Sequence, residues 1–282
     1  MAIVEPMKKS VVLPSLFLAL VACTRTIGAR EGTDTTSVVV RFEVPSSSTR
    51  ESNSSHAVHL RLIADQGPLE SALTVSVIDS SGTLVAGADY RLRSWNVTFP
   101  IGSVDGQRRA ITVEVLDDSL LEGPEHVLLA LHGPSLGRVS RDAPLTHEVT
   151  IMDDERVSIA FDMPASMADE RGGAHDVWLR LVADGATTAV PISAVVVDSR
   201  SGSAVSDRDY VAFGTQTVTF EAGSTDGAVE RVVLELQADV LEESEEVVDL
   251  SIDEVCGPGA SIGNPSNHIV SIVNDLVRGF GR

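Results

Sequence analysis

The chain has 282 residues, enough for two domains of ordinary size that can each bury a core of their own. Its 41 acidic residues outnumber 21 basic ones and leave a formal net charge of −20, which argues against nucleic acid or anionic lipid headgroups as partners. Cations and cationic surfaces are its natural counterparts, and much of the acidity serves solubility alone.

The first predicted element, residues 1–22, is a targeting segment and not part of the fold. Met7-Lys8-Lys9 supplies a positive start and Val11 to Ala22 an apolar stretch. With Pro14 inside, that stretch falls short of the roughly 20 apolar residues a membrane-spanning helix needs. Leu20-Val21-Ala22-Cys23 resembles the bacterial lipobox. The resemblance implies cleavage before Cys23, lipidation of its thiol and anchoring through several acyl chains. Thr24, in place of an Asp, favours the outer membrane by the same analogy. The alternative is an ordinary secretory signal with an incidental cysteine. Residues 23–37, rich in Thr, Arg and Gly, read as a flexible tether.

From Val38 onward apolar residues alternate. Val38, Val40 and Phe42 open a series that continues through Val58, Leu60 and Leu62; Leu73, Val75 and Val77; Val97 and Phe99; Ile111, Val113 and Val115; Val127, Leu129 and Leu131; and Val149 and Ile151. Period two at this density predicts half-buried strands. Residues 156–277 repeat the series from Val157, Ile159 and Phe161 to Val270 and Ile272, ahead of a short tail, 278–282. About seven short strands per unit with Gly-, Ser- and Asp-bearing turns predict an all-β fold: two tandem Greek-key, immunoglobulin-like antiparallel β-sandwiches, 38–155 and 156–277. Only Asp153-Asp154-Glu155-Arg156 separates the last strand of the first from the first strand of the second, so these acidic residues are expected at the joint. If Cys23 carries lipid, Cys256 has no partner for a disulfide within the chain and is expected as a partly buried, inert thiol in a loop-like run, the alternative being a free or intermolecular thiol.

Three blocks recur about 120 residues apart. Gly82-Thr83 followed by Asp89-Tyr90 is answered by Gly202-Ser203 and Asp209-Tyr210. Val97-Thr98-Phe99 with Gly102 is answered by Val218-Thr219-Phe220 with Gly223, and Asp118, Glu122 and Glu125 by Asp239, Glu243 and Glu246. A carboxylate has no packing value, so its reuse at matched positions points to a shared ionic task, most simply a hard cation.

Together with the closing Ile-x-Asp-Asp, these blocks resemble the Calx-beta family over Val38 to about Leu276. The resemblance implies seven-stranded sandwiches that bind Ca²⁺ through loops at the end where the chain leaves each domain. It implies roles in exchangers, integrins and bacterial surface or adhesion proteins. Carried across position by position, the calcium ligands of the first copy are Glu51, Asp89, Asp117, Asp118, Glu122, Glu125, Asp153, Asp154 and Glu155. Those of the second are Glu170, Asp209, Asp239, Glu243, Glu246, Asn274 and Asp275. Ala238 stands opposite Asp117, and Asn274 opposite Asp153, so the second copy has lost charge and is expected to bind more weakly. The alternative assigns Asp89 and Asp209 to turn caps and the glutamates to solvated strand ends. Tyr90 and Tyr210 are expected to anchor their turns against the core, and Trp95 and Trp178 to pack or lie on the surface.

The seven histidines, His56, His59, His126, His132, His147, His175 and His268, form no helical metal motif, and no nucleophile elbow or phosphate loop is present, so the chain is not read as an enzyme. The expected function is a calcium-binding envelope lipoprotein that adheres to, binds or displays a protein or glycan. The rival is a metal-independent spacer or a subunit of an envelope assembly.

Overall fold

The computed structural model describes residues 38–132, 145–239 and 244–273. The first copy holds β1 (Val38–Phe42), β2 (Ser46–Arg50), β3 (Ser55–Ala64), β4 (Leu73–Gly82), β5 (Tyr90–Leu92), β6 (Asn96–Phe99), β7 (Arg108–Val115), β8 (Leu120–Leu121), β9 (Glu125–His132) and β10 (Thr146–Met152). A four-stranded sheet β1-β3-β7-β5 faces a five-stranded sheet β2-β10-β9-β4-β6. Alternate residues interleave in the core between them, among them Val40, Phe42, Leu60, Val75, Phe99, Ile111, Leu129 and Val149, all fully buried.

The second copy repeats the plan with β11 (Val157–Phe161), β12 (Ala165–Asp169), a 3₁₀ turn Glu170–Gly172, β13 (Ala174–Val182), β14 (Thr187–Thr188), β15 (Ile192–Asp198), β16 (Thr215–Phe220), β17 (Val229–Glu235), β18 (Glu246–Cys256), β19 (Ala260–Ile262) and β20 (Asn267–Val273). Its sheets are β17-β13-β11-β19 and β12-β20-β18-β15-β16. Both copies are β-sandwiches, as the alternation predicts.

Each of the seven predicted strands of a copy is present, and the expectation of seven strands, all antiparallel, needs two corrections. The first strand breaks at Val44-Pro45, and at Met163-Pro164 in the second copy, and the chain crosses to the other sheet. Proline has no N–H to give the ladder, so the break is local chemistry. Beyond it β2 pairs parallel with β10 and β12 parallel with β20. The Pro45 carbonyl, accepting from Glu148 N–H at 2.9 Å, opens the first of these ladders, and Pro164 opens the second from Ile269 N–H at 3.0 Å. Short strands absent from the apolar pattern also appear: β5 and β8 in the first copy, β14 and β19 in the second.

The repeated Gly-Thr and Gly-Ser pairs have a packing cause. A Cβ on Gly82 would stand 2.1 Å from the His126 carbonyl oxygen, and one on Gly202 2.1 Å from that of Val247. Only glycine lets these backbones approach so closely. The hydroxyl that follows uses the approach, Thr83 Oγ1 accepting from His126 N–H and Ser203 Oγ from Val247 N–H, each at 3.0 Å. The two tyrosines are buried as expected, and each donates its phenol to a carboxylate one strand away, Tyr90 to Asp79 and Tyr210 to Asp198. Trp95 and Trp178 are exposed. Cys256 corrects its expectation: it ends strand β18 and is exposed, because it lies beyond the last core position, Ile252.

Candidate functional site

The carboxylates of the first copy gather where β2, β7, β9 and β10 end or begin. Glu51 follows β2, its N–H bonded to the Met152 carbonyl at 2.9 Å, and it is buried. Asp89 sits in the turn before Tyr90 and accepts from Val85 N–H at 2.5 Å, so it does cap its turn. The segment from Asp117 to Glu125 joins β7 to β9 and bears Asp118 and Glu122. Asp153 follows β10, its Oδ2 accepting from the N–H groups of Glu122 at 2.9 Å and Gly123 at 3.1 Å, its Oδ1 from Glu155 N–H at 3.0 Å.

Two groups of oxygen donors result. Glu51, Asp153 and Glu155 form one, and Asp89, Glu122 and Glu125 the other; within each, one oxygen from every residue lies within 4.8 Å of the others. Glu51, Asp89, Glu122, Glu125 and Asp153 line one small concavity with Leu84 and Ile151, so the two groups are neighbours. Asp118 acts on the charge of both. Asp154 lies outside both groups and accepts from Ser52 N–H at 3.0 Å, while Asp117 is exposed and belongs to neither.

Burial and mutual repulsion set the electrostatics. Desolvation, followed by the charges of Asp118, Glu155, Asp153 and Glu122, pushes the Glu51 carboxyl up to about 8. Glu122 rises to about 7 through burial and then Glu125, Asp89, Asp118 and Asp153, and Glu125 rises through burial and Asp89. Glu155 goes up to about 7 through burial and its hydrogen bond to Asp153. Burial opposes ionisation of Asp153 as well, but its hydrogen bonds from Glu155 and the backbone hold it below the usual carboxylate range. Two unit charges about 4 Å apart repel by roughly 4 kcal/mol at an effective dielectric near 20. Such a cage of hard oxygens suits a divalent cation that takes 6 to 8 oxygen ligands in flexible geometry.

In the second copy Glu170 and Asp209 are buried, and Glu170 accepts from Asp239 N–H at 3.1 Å. Asp209 again caps its turn through Val205 N–H at 2.6 Å. Arg208, aligned with Ala88, brings its guanidinium 3.4 Å from the Asp209 carboxylate. Among the described residues no group of three converging donors forms in this copy. Glu246 begins β18, while Glu243, Asn274 and Asp275 lie outside the described residues, as does Cys23.

The first copy's site is interleaved with contacts to the second copy. Between Asp118 and Glu122, β8 pairs parallel with β14, Leu120 opposite Thr187 and Leu121 opposite Thr188. The Leu121 side chain is fully buried, and it belongs to the core of the second copy rather than its own.

One constellation escaped the reading of single histidines. Ser47 Oγ lies 2.7 Å from both His56 Nε2 and His147 Nε2, and Ser166 Oγ stands likewise 2.7 Å from His175 and His268. The signal was the recurrence of all three residues at the repeat offset.

A family model described as "Calx-beta domain" matches residues 34–155 and again 153–276. Among solved structures the chain is similar to CBD12 from CALX1.2, at 20% identity over 83% of this chain and 99% of that one, with a TM-score of 0.37. It is similar to the calcium binding domain CBD12 of CALX1.1, at 20% identity over 82% and 98%, TM-score 0.37. The apo-form Calx CBD1 domain matches at 20% identity over 43% of this chain and 99% of its own, TM-score 0.37. No curated protein matches.

Proposed function

The chain belongs to the Calx-beta family, with two copies of its domain, and on that premise we propose that it is a calcium-binding module whose first copy carries the stronger site. The observation that supports this is the pair of adjoining carboxylate groups in the first copy, in which burial and neighbouring carboxyl groups push Glu51, Glu122, Glu125 and Glu155 above the usual carboxylate range. Glu51, Asp153 and Glu155 would hold one ion and Asp89, Glu122 and Glu125 a second, with Asp118 shared. Calcium would supply charge neutralisation and cross-linking of loops, and no catalysis. The second copy, with Arg208 against Asp209, binds more weakly. Calorimetric titration with calcium tests this: Glu122→Gln with Glu125→Gln removes the tighter binding and Glu246→Gln leaves it. Equal losses from the two variants contradict it.

The finer proposal is an outer-membrane lipoprotein anchored through Cys23, which presents the two sandwiches to a protein or glycan. The lipobox-like Leu20-Val21-Ala22-Cys23 supports it. Metabolic labelling with a fatty acid is the test, and an unlabelled chain excludes the anchor. Among the described residues no helix is long and apolar enough to cross a membrane.

A further inference from the structure

The two His–Ser–His triads stand where each first strand changes sheets. His147 faces the core from β10, Ser47 from the edge strand β2, and His56 from β3 in the opposite sheet, so the triad ties the edge strand to both layers. His147 Nδ1 lies 2.8 Å from the carbonyl of Val44, at the break itself, and its ring packs on Phe42 with centroids 5.3 Å apart. The second copy reproduces each contact: His268 Nδ1 lies 2.7 Å from Met163 O, and its ring 5.4 Å from that of Phe161. His147 and His268 are buried, His56 and His175 half-buried.

Hydrogen-bond chemistry permits one ordering of protons in the neutral triad. A carbonyl only accepts, so His147 carries its proton on Nδ1 and leaves Nε2 as an acceptor. Ser47 must then donate to His147 Nε2, and its oxygen accepts from His56 Nε2–H. A first added proton can sit on His56 Nδ1 without disturbing this chain. A second, on His147 Nε2, turns both imidazoliums toward one serine oxygen, leaves the serine proton without an acceptor, and buries two like charges side by side.

The parallel pair that the triad clamps leads to the carboxylates. β2 runs from Ser47 to Arg50 and then Glu51, and β10 from His147 to Met152 and then Asp153, in register from Ser46 opposite Glu148 to Arg50 opposite Met152. We propose that each triad is an acid-released latch: neutral, it holds the edge strand that carries Glu51, or Glu170, against its parallel partner, and doubly protonated it lets that strand go and loosens the cation site. The coupling to the cation rests on the calcium reading above; the latch itself does not.

The surroundings disfavour protonation of the rings. Burial lowers His147 and His268 against the opposing carbonyl hydrogen bond. Burial, then His147 and His59, lowers His56; burial and His268 lower His175, with Asp176 opposing. A histidine depressed in the folded state contributes stability above the unfolded value near 6.5 that is lost as the pH falls below it.

The experiment follows amide exchange of Ser46–Arg50 and Ala165–Asp169 in EDTA, as protection factors, from about pH 7 to about pH 5, beside ring titrations by NMR. Wild type should lose about tenfold or more in protection of these strands as the buried rings protonate. The variant His147→Gln with His268→Gln, whose amide can accept from serine and donate to the carbonyl without titrating, should keep it. Equal loss in wild type and variant overturns the latch. If the variant does not fold, the wild type alone decides, because buried rings that titrate with strand protection unchanged also overturn it. Calcium affinity at both pH values then reports the coupling: a wild-type fall no larger than the variant's leaves the latch standing and removes its link to the site.

Discussion

Glu51 shows at the scale of one residue why the first copy asks for a cation. It is buried, its backbone is tied to Met152, and four other carboxyl groups act on it, so its carboxyl ionises only at about 8. The sign of the consequence follows from proton counting. Between the ordinary value near 4.5 and the raised values of Glu51, Glu122 and Glu155, the metal-free folded state holds more protons than the unfolded one. Stability contributed by these groups is therefore complete below that ordinary value and lost as the pH rises through about 7 to 8. Calcium bound by these groups, as proposed, would reverse this by displacing the protons. Titration near pH 7 in buffers of different ionisation enthalpy should show protons released as calcium binds, with less release above about pH 8. Calcium uptake without proton release would mean that these carboxyl groups are not the ligands.

At the scale of elements, β8 has the largest consequence for its size. Two residues of the first copy form a parallel pair with two of the second, Thr187 N–H bonding to the Ser119 carbonyl at 2.9 Å and Ala189 N–H to that of Leu121 at 3.0 Å. Leu121 fills the neighbouring core, so Leu121→Ala should destabilise the second copy by about 2–5 kcal/mol, although the residue lies in the first. Residue-resolved exchange can tell the copies apart, and a loss confined to the first would refute the assignment.

The strands at core positions were legible in the sequence because alternation reports burial directly, from Val58-x-Leu60-x-Leu62 to Val149-x-Ile151. β8 was not, since its partner lies far along the chain in the other copy and two residues carry no period. The sheet switch was marked by Pro45 and Pro164, yet Val44 continued the alternation past the break and hid it. The carboxylates were legible by their recurrence, and Asp89, Glu122 and Glu125 do converge; Asp117, exposed in the segment after β7, joins neither group. His56 and His147 were hidden for a different reason. They continue the apolar periods of Val58 and Val149 into the core, where a lone histidine reads as an exception and only the duplicated set reads as a network.

Across the whole molecule, these devices meet at the joint. The segment that carries Asp118, Glu122 and Glu125 also sends Leu121 into the second copy, and Asp153-Asp154-Glu155 leads directly into β11, whose first N–H, on Val157, bonds to the Gly259 carbonyl at 3.1 Å. A cation that orders the first copy's loops therefore acts on groups that the second copy depends on for its packing. Ions bound by the native state alone would stabilise it by about 2.7 kcal/mol when calcium is a hundredfold above its dissociation constant.

The most direct test is thermal unfolding of residues 24–282 in EDTA, in calcium and in magnesium, beside the variant Asp118→Ala with Glu122→Ala. The account predicts that calcium raises the midpoint, that magnesium does so far less because it keeps its waters and demands a tight octahedron, and that the variant loses the rise. Coincident curves in all three solutions, or a rise that survives in the variant, would contradict it and leave two metal-free sandwiches joined through Leu121.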